Sequence, residues 1–148
     1  MEKKGLKMGT LLGTPYERGK SDVIVSRLVE SPIEEGLFVT ETDEKTAAAM
    51  SASATPRGVM GQNEIVGCSV VKAGLRVWVQ LTHGDEPAAG DPVYVDPSTG
   101  KATTESTDMI AVNAVFASDE VRTDGVSENT GTKAYNKECA LIDFVGGL

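Results

Sequence analysis

Short runs in which apolar and polar side chains alternate dominate this chain, and a period of two predicts strands. The clearest run is Leu75-Arg76-Val77-Trp78-Val79-Gln80-Leu81. Leu75, Val77, Val79 and Leu81 share one face there, and Arg76, Trp78 and Gln80 share the other. Further strands are predicted at residues 22–29, 36–40, 59–60, 65–71, 92–95, 110–116 and 139–145, each bounded by Gly, Pro, Asn, Asp or Ser. Ser31-Pro32 ends the first of them, because proline cannot donate to a ladder. The turns at 84–91 and 96–101 carry proline and glycine where tight turns use them. One segment departs from the pattern. At 42–50 acidic groups precede an alanine run, in the order a helix dipole favours, so a turn or two of helix is expected there. Residues 118–133 read as a polar linker.

Seven or eight short strands with almost no helical periodicity predict an all-β fold, a small antiparallel β-barrel or jelly-roll-like sandwich. Residues 1–20 stand apart. Gly5, Gly9, Gly13 and Gly19 recur among Leu6, Met8, Leu11, Leu12 and Tyr16. Each interior glycine costs a helix roughly 1 kcal/mol relative to alanine, so an extended N-terminal arm is expected. The remaining residues 21–148 form one barrel or sandwich domain with no fixed-period repeat. The arm is also the basic part of the chain. Lys3, Lys4, Lys7, Arg18 and Lys20 face only Glu2 and Glu17, whereas the 148 residues together carry a net charge of −8. A basic arm on an acidic body is built to dock on an acidic surface, or is a solvated terminus.

Acidity argues against nucleic acid as a partner. No apolar run is long enough for a signal peptide core or a bilayer span, so folding in a reducing cytoplasm is expected and no membrane is involved. With one histidine and two cysteines, the chain lacks the side chains for a histidine-cluster or four-ligand zinc site. Cys68 and Cys139 each sit in an apolar run and are expected to be buried thiols, a Cys68–Cys139 disulfide being the alternative. No phosphate-binding loop, dinucleotide fingerprint or nucleophile elbow occurs. His83 with Asp85 could form a minimal base, but it reads more simply as a loop histidine. The adjacent carboxylates at 34–35, 43–44, 85–86 and 119–120 do not face one another across a cleft as glycosidase pairs must. The acidic stretch 119–125 only approximates a calcium loop. No metal, no cofactor and no catalytic residue are expected.

Trp78 is the informative residue. With its neighbours filling the core, the only tryptophan points the opposite way, beside Arg76, and Tyr94 likewise opposes Val93 and Val95. Trp, Tyr and Arg concentrate at the centres of protein interfaces. Either a partner covers this face or the arm or a loop of the same chain does. Leu6, Met8, Leu11, Leu12, Tyr16, Arg76, Trp78 and Tyr94 are the candidate partner-contact residues.

Several phrases resemble the head decoration, or structural cement, proteins of tailed bacteriophages. They are Gly19-Lys20-Ser21-Asp22-Val23-Ile24-Val25-Ser26, Glu35-Gly36-Leu37-Phe38-Val39, Pro56-Arg57-Gly58-Val59-Met60-Gly61, Val77-Trp78-Val79, Ala88-Ala89-Gly90-Asp91-Pro92-Val93-Tyr94-Val95 and Ser98-Thr99-Gly100-Lys101. These are turn-and-strand signatures spread over residues 18 to 145. The resemblance implies a homodimer or homotrimer on the outer surface of a virion. It would bridge neighbouring major capsid protein subunits and resist the pressure of packaged DNA. A head–tail joining protein is one alternative. A biotinyl- or lipoyl-like carrier presenting Lys101 is another, although Thr99-Gly100-Lys101-Ala102 is the wrong context for a modified lysine.

Overall fold

A computed structural model describes residues 10–13, 23–63, 68–129 and 133–148. Strands among them are β1 (Thr10–Leu11), β2 (Val23–Val29), β3 (Phe38–Asp43), β4 (Thr46–Ala49), β5 (Gly58–Asn63) and β6 (Cys68–Ala73). They continue with β7 (Val77–Gln80), β8 (Pro92–Val95), β9 (Ala102–Thr103), β10 (Ile110–Ser127) and β11 (Ala134–Phe144). No helix occurs among the described residues, and the fold is all-β. Strands β2-β4-β3-β5-β6 close into a barrel, and β7-β11-β10-β8-β9 form an open sheet to which β1 adds alongside β10. Neighbours are antiparallel except for β1 with β10 and β2 with β4.

The two sheets stack, and their sequences show why. Successive residues of the barrel strands point to opposite sides, and here both sides are apolar. Val39, Met60 and Val70 fill the barrel with Ile33 and Ala47. Their neighbours Phe38, Val59 and Val71 point outward and meet Val77, Val79, Val93, Val95, Phe116 and Ile142 of the open sheet. A strand buried on both faces reads as a continuous hydrophobic run instead of an alternating one, as β5 and β6 do. Beyond the open sheet lies a third, smaller cluster of Leu12, Trp78, Cys139 and Leu141.

Three expectations fail here for physical reasons. The helical turn at 42–50 is a hairpin. Asp43 Oδ1 accepts the Lys45 amide at 2.8 Å, turning the chain, and Thr46–Ala49 then pairs back on β3. Alanine's helix preference yields because the barrel's closing strand must place a small side chain, Ala47, inside it. The polar linker at 118–133 is largely strand. β10 runs on to Ser127 and pairs with β11 from Ala134 onward. Its side chains are polar because this part of the ladder overhangs the core. Finally, Leu75 does not share the core face with Val77. Arg76 takes a left-handed backbone (φ 55°), its amide donates to Asp143 Oδ1 at 2.7 Å, and the strand starts only at Val77.

The overhang leaves an edge. On the side of β10 away from β11, β8 pairs with residues 110–115 and β1 with 125–126. Between them, residues 117–124 have no strand partner among the described residues.

Phe38 and Phe116 face each other's sheets across the shared core. Phe38→Ala on the barrel and Phe116→Ala on the open sheet should each cost about 3–5 kcal/mol. In urea titrations both should shift one transition, seen alike by tryptophan fluorescence and circular dichroism. Two separated transitions would mean that the sheets do not stabilise one another.

Candidate interaction surface

Residues 10–13 cross the third cluster as a strap. Thr10 and Leu11 pair in parallel with Gly125 and Val126. The Gly13 amide then donates to Trp78 O at 2.8 Å on the far edge of the sheet. Between these anchors Leu12 is fully buried among Trp78, Cys139 and Leu141. Two glycines make its socket. A Cβ on Gly36 (φ +84°) would lie 3.0 Å from the Leu12 Cβ, and one on Gly125 would lie 3.2 Å from Leu12 Cδ2. Gly13 (φ +67°) approaches β5 so closely that any Cβ there would run into Met60 O.

Trp78 is 4% exposed. The face that the sequence left open between a partner and the chain itself is covered by the chain, through Leu12 below and Arg122 above. The Arg122 guanidinium carbon stands 4.9 Å from the indole centroid and its Nε donates to Glu120 Oε2 at 2.7 Å. A cation over an aromatic face contributes about 0.5–2 kcal/mol, depending on how dry the contact is. Thr10 Oγ1 joins this group, donating to Asp124 Oδ1 at 2.6 Å. Trp78 and Leu12 are therefore interior residues that hold the surface in shape.

Polar side chains fasten the 34–36 turn over the socket. Glu35 is buried, and its Oε1 accepts Ser127 Oγ at 2.6 Å and the amides of Glu128 and Asn129 at 2.8 and 3.2 Å. Gln80 Nε2 donates to Glu34 Oε1 at 2.9 Å and to Glu35 O at 3.0 Å, and Lys137 Nζ reaches the Glu34 carboxylate at 3.2 Å. Burial pushes the Glu34 carboxyl up, but the Gln80 hydrogen bond and the Lys137 ammonium outweigh it and hold the group below the usual carboxylate range. The Cys139 thiol is free, and burial, with Asp124 adding to it, pushes it up to about 12.

The remaining candidates are dispersed. Leu11 is 51% exposed, on the outside of the strap. Arg76 is exposed in the β6–β7 turn, and Tyr94 is half-buried on β8, opposite Ala111 and Thr103. Trp78 and Tyr94 share the sheet face away from the main core, yet they stand on strands that β11 and β10 separate. Leu6, Met8 and Tyr16 lie outside the described residues, as does the course of the arm before Thr10. Val121, which the sequence reading took into the polar linker, and Tyr135, just beyond that linker, are exposed apolar side chains. The signal was present in their β-branched and aromatic character, but polar neighbours outnumbered them.

The geometry does not assemble a catalytic centre from the residues considered for one. His83 is 91% exposed and its Nδ1 lies 3.0 Å from both Glu138 carboxylate oxygens. Asp85 turns the other way, accepting the Thr104 amide at 2.7 Å and the Thr104 hydroxyl at 2.5 Å. The two do not form a pair. His83 instead lines an open groove of about 520 Å³ with Lys101, Tyr135, Lys137 and Glu138. Among the described residues no group of three or more His, Cys, Asp or Glu side chains could hold a metal ion, and residues 119–125 are strand instead of a calcium loop.

No family model matches the sequence, and no curated protein does. Among solved structures the chain is similar to one from the capsid of Myoviridae phage XM1, with a TM-score of 0.64 and 21% sequence identity. The alignment covers 93% of this chain and 92% of that one, so the two share a fold from end to end.

Leu12→Ala should destabilise the protein by about 2–5 kcal/mol, because the glycine-floored socket cannot collapse around the loss. At about pH 8 the wild-type Cys139 should resist iodoacetamide until unfolding, and the variant should be alkylated in native buffer, as peptide mass mapping would read. The Glu34 contacts should stabilise the protein above its unfolded pKa of about 4.3 and lose that effect as pH falls through the lower native value. Urea midpoints of wild type and Glu34→Gln should accordingly differ at neutral pH, by less than about 1 kcal/mol for so solvated a pair, and converge in acid.

Proposed function

We propose that this protein is a bacteriophage head decoration, or cement, protein. In this reading it binds the outer surface of the capsid as a homodimer or homotrimer and bridges neighbouring major capsid protein subunits. It thereby holds the shell against the pressure of packaged DNA. The observation that carries the reading is the fold likeness to a chain of a phage capsid over nearly the whole of both chains. The strand-and-turn phrases that resemble cement proteins support it independently, and they extend across the same residues.

The physical design suits the task. A bridging protein stabilises the assembled shell because it binds the shell and not the separated subunits. That linkage gives RT ln(1 + [L]/Kd) per site, about 2.7 kcal/mol at a hundred times Kd. Such a protein must be stiff, since a strut that flexes transmits no load, and this chain buries three stacked apolar clusters in a short sequence. On this reading the arm, residues 1–20, and the barrel-and-sheet body, residues 21–148, both contribute contacts. Leu6, Met8, Leu11 and Tyr16 would supply the arm's apolar contacts, and Arg76 and Tyr94 the body's. Leu12 and Trp78 would act from beneath, by keeping the strap in place.

The test is to mix the purified protein with expanded heads assembled without it and to image them by electron cryomicroscopy. Density outside the shell between neighbouring capsid subunits is expected, together with greater resistance of the heads to heat. Paired substitution of Leu11→Asp and Arg76→Glu should weaken binding by about tenfold or more. Heads that stay bare at saturating protein would overturn the reading.

A further inference from the structure

The barrel closes through a short seam. Five register pairs join β2 to β6, from Val23–Ala73 to Arg27–Cys68, but only two join β2 to β4, Leu28–Thr46 and Val29–Ala47. The β2–β4 join is also parallel, and parallel pairing is slightly less stable per residue. The Leu28 amide crosses it, donating to Lys45 O at 2.8 Å. Grooves flank this contact on both sides. One of about 250 Å³ is lined by Pro32, Ile33, Ala48 and Ala49, and one of about 280 Å³ by Arg27, Leu28, Glu44 and Lys45.

The seam holds the hairpin of β3 and β4. Its base is fixed, because Phe38 and Val39 are buried, the Met60 amide donates to Leu37 O at 2.8 Å and the Arg57 amide to Val39 O at 2.7 Å. Past Val39, β3 has no strand partner on the side away from β4 among the described residues. From Thr40 to Ala49 only Ala47 is buried. A segment that buries one methyl group behind two register pairs opens at far lower cost than the whole fold. Side chains supply the hold that packing lacks. Glu41 on β3 accepts Arg27 Nε from β2 at 2.7 Å and lies 2.8 Å from Lys72 Nζ of β6. The Lys72 ammonium also donates to Arg57 O at 3.0 Å. Burial pushes the Glu41 carboxyl up, but the hydrogen bonds from Lys72 and Arg27 outweigh it and hold the group below the usual carboxylate range. The three side chains are only 14–18% exposed, so salt screens this clasp less than it would an open surface pair.

We infer that residues 40–49 form a flap, hinged at Val39 and Met50, that opens the barrel at the β2–β4 seam, with the Arg27–Glu41–Lys72 clasp as its latch. Opening bares Ala47 and Ile33 and frees the facing edges of β2 and β4, each a template for another strand. This inference concerns the isolated chain and stands apart from the capsid reading, so either can fail alone.

Backbone amide exchange, followed residue by residue by NMR on the full chain, tests it. The Leu28 amide should exchange about tenfold faster or more than the amides bonded in the β2–β6 ladder, which opening of the flap leaves paired. In Glu41→Gln, which keeps the side chain's shape and removes its charge, Leu28 should exchange faster again by about tenfold. The β2–β6 and β10–β11 ladders should keep their rates in that variant and report an intact fold. A Leu28 amide as slow as the β2–β6 ladder would overturn the proposal, and so would a rate that Glu41→Gln leaves unchanged. Acceleration of every amide alike would overturn it as well, because the clasp would then hold the whole fold and not a flap.

Discussion

The packing of Leu12 beneath Trp78 is the contact on which the rest of this structure turns. One leucine side chain ties the open sheet to the turn that leads into the barrel. It lies under the indole of β7, beside Cys139 and Leu141 of β11, and against two glycines, one in the turn that leads into the barrel and one on β10. At Gly125 a methyl group would first meet the Lys137 carbonyl oxygen, 2.8 Å away, and at either glycine it would crowd the leucine. Gly13 next to it is pressed against the carbonyl of Met60 in the barrel. Close packing of this kind tolerates little change in volume, and removal of the leucine costs more than its own transfer free energy.

That contact makes the beginning of the described chain part of the body. A strap that only touched the surface could be lost without consequence. Here its backbone completes the sheet at Gly125 and Val126, its side chain completes a core, and buried Glu35 fastens the neighbouring turn through three donors from residues 127–129. Surface and interior are therefore coupled. Leu11, on the outside of the strap, is held in position by Leu12 on the inside. Under the proposed function, such coupling keeps the contact surface rigid, and rigid surfaces lose less entropy on binding.

Much of the fold was legible. The strands at 22–29, 92–95 and 110–116 alternate cleanly or are bounded by proline and glycine, and local chemistry suffices to place them. Errors arose where distant contacts outweighed local preference. Thr46–Ala49 has the composition of a helix and lies in a barrel wall because Ala47 is the size that the closing strand can accommodate. Residues 118–127 have the composition of a loop and form a ladder because β11 supplies backbone partners that no sequence window contains. Leu75 continues the apolar alternation of its strand, yet Arg76 turns left-handed on the Asp143 carboxylate 67 positions further along the chain.

The same division holds for the candidate contact residues. The sequence by itself determined the all-β class, the acidic body with its basic beginning, and the placement of Trp78 and Tyr94 on the face away from the main core, because side-chain period and charge are local properties. Only the tertiary structure decided that Trp78 is sealed by Leu12 and Arg122, that two strands, β11 and β10, lie between it and Tyr94, and that β10 overhangs its described neighbours. Each of those depends on pairing between segments far apart in the chain, and strand register is set by the sum of such contacts and not by any one of them.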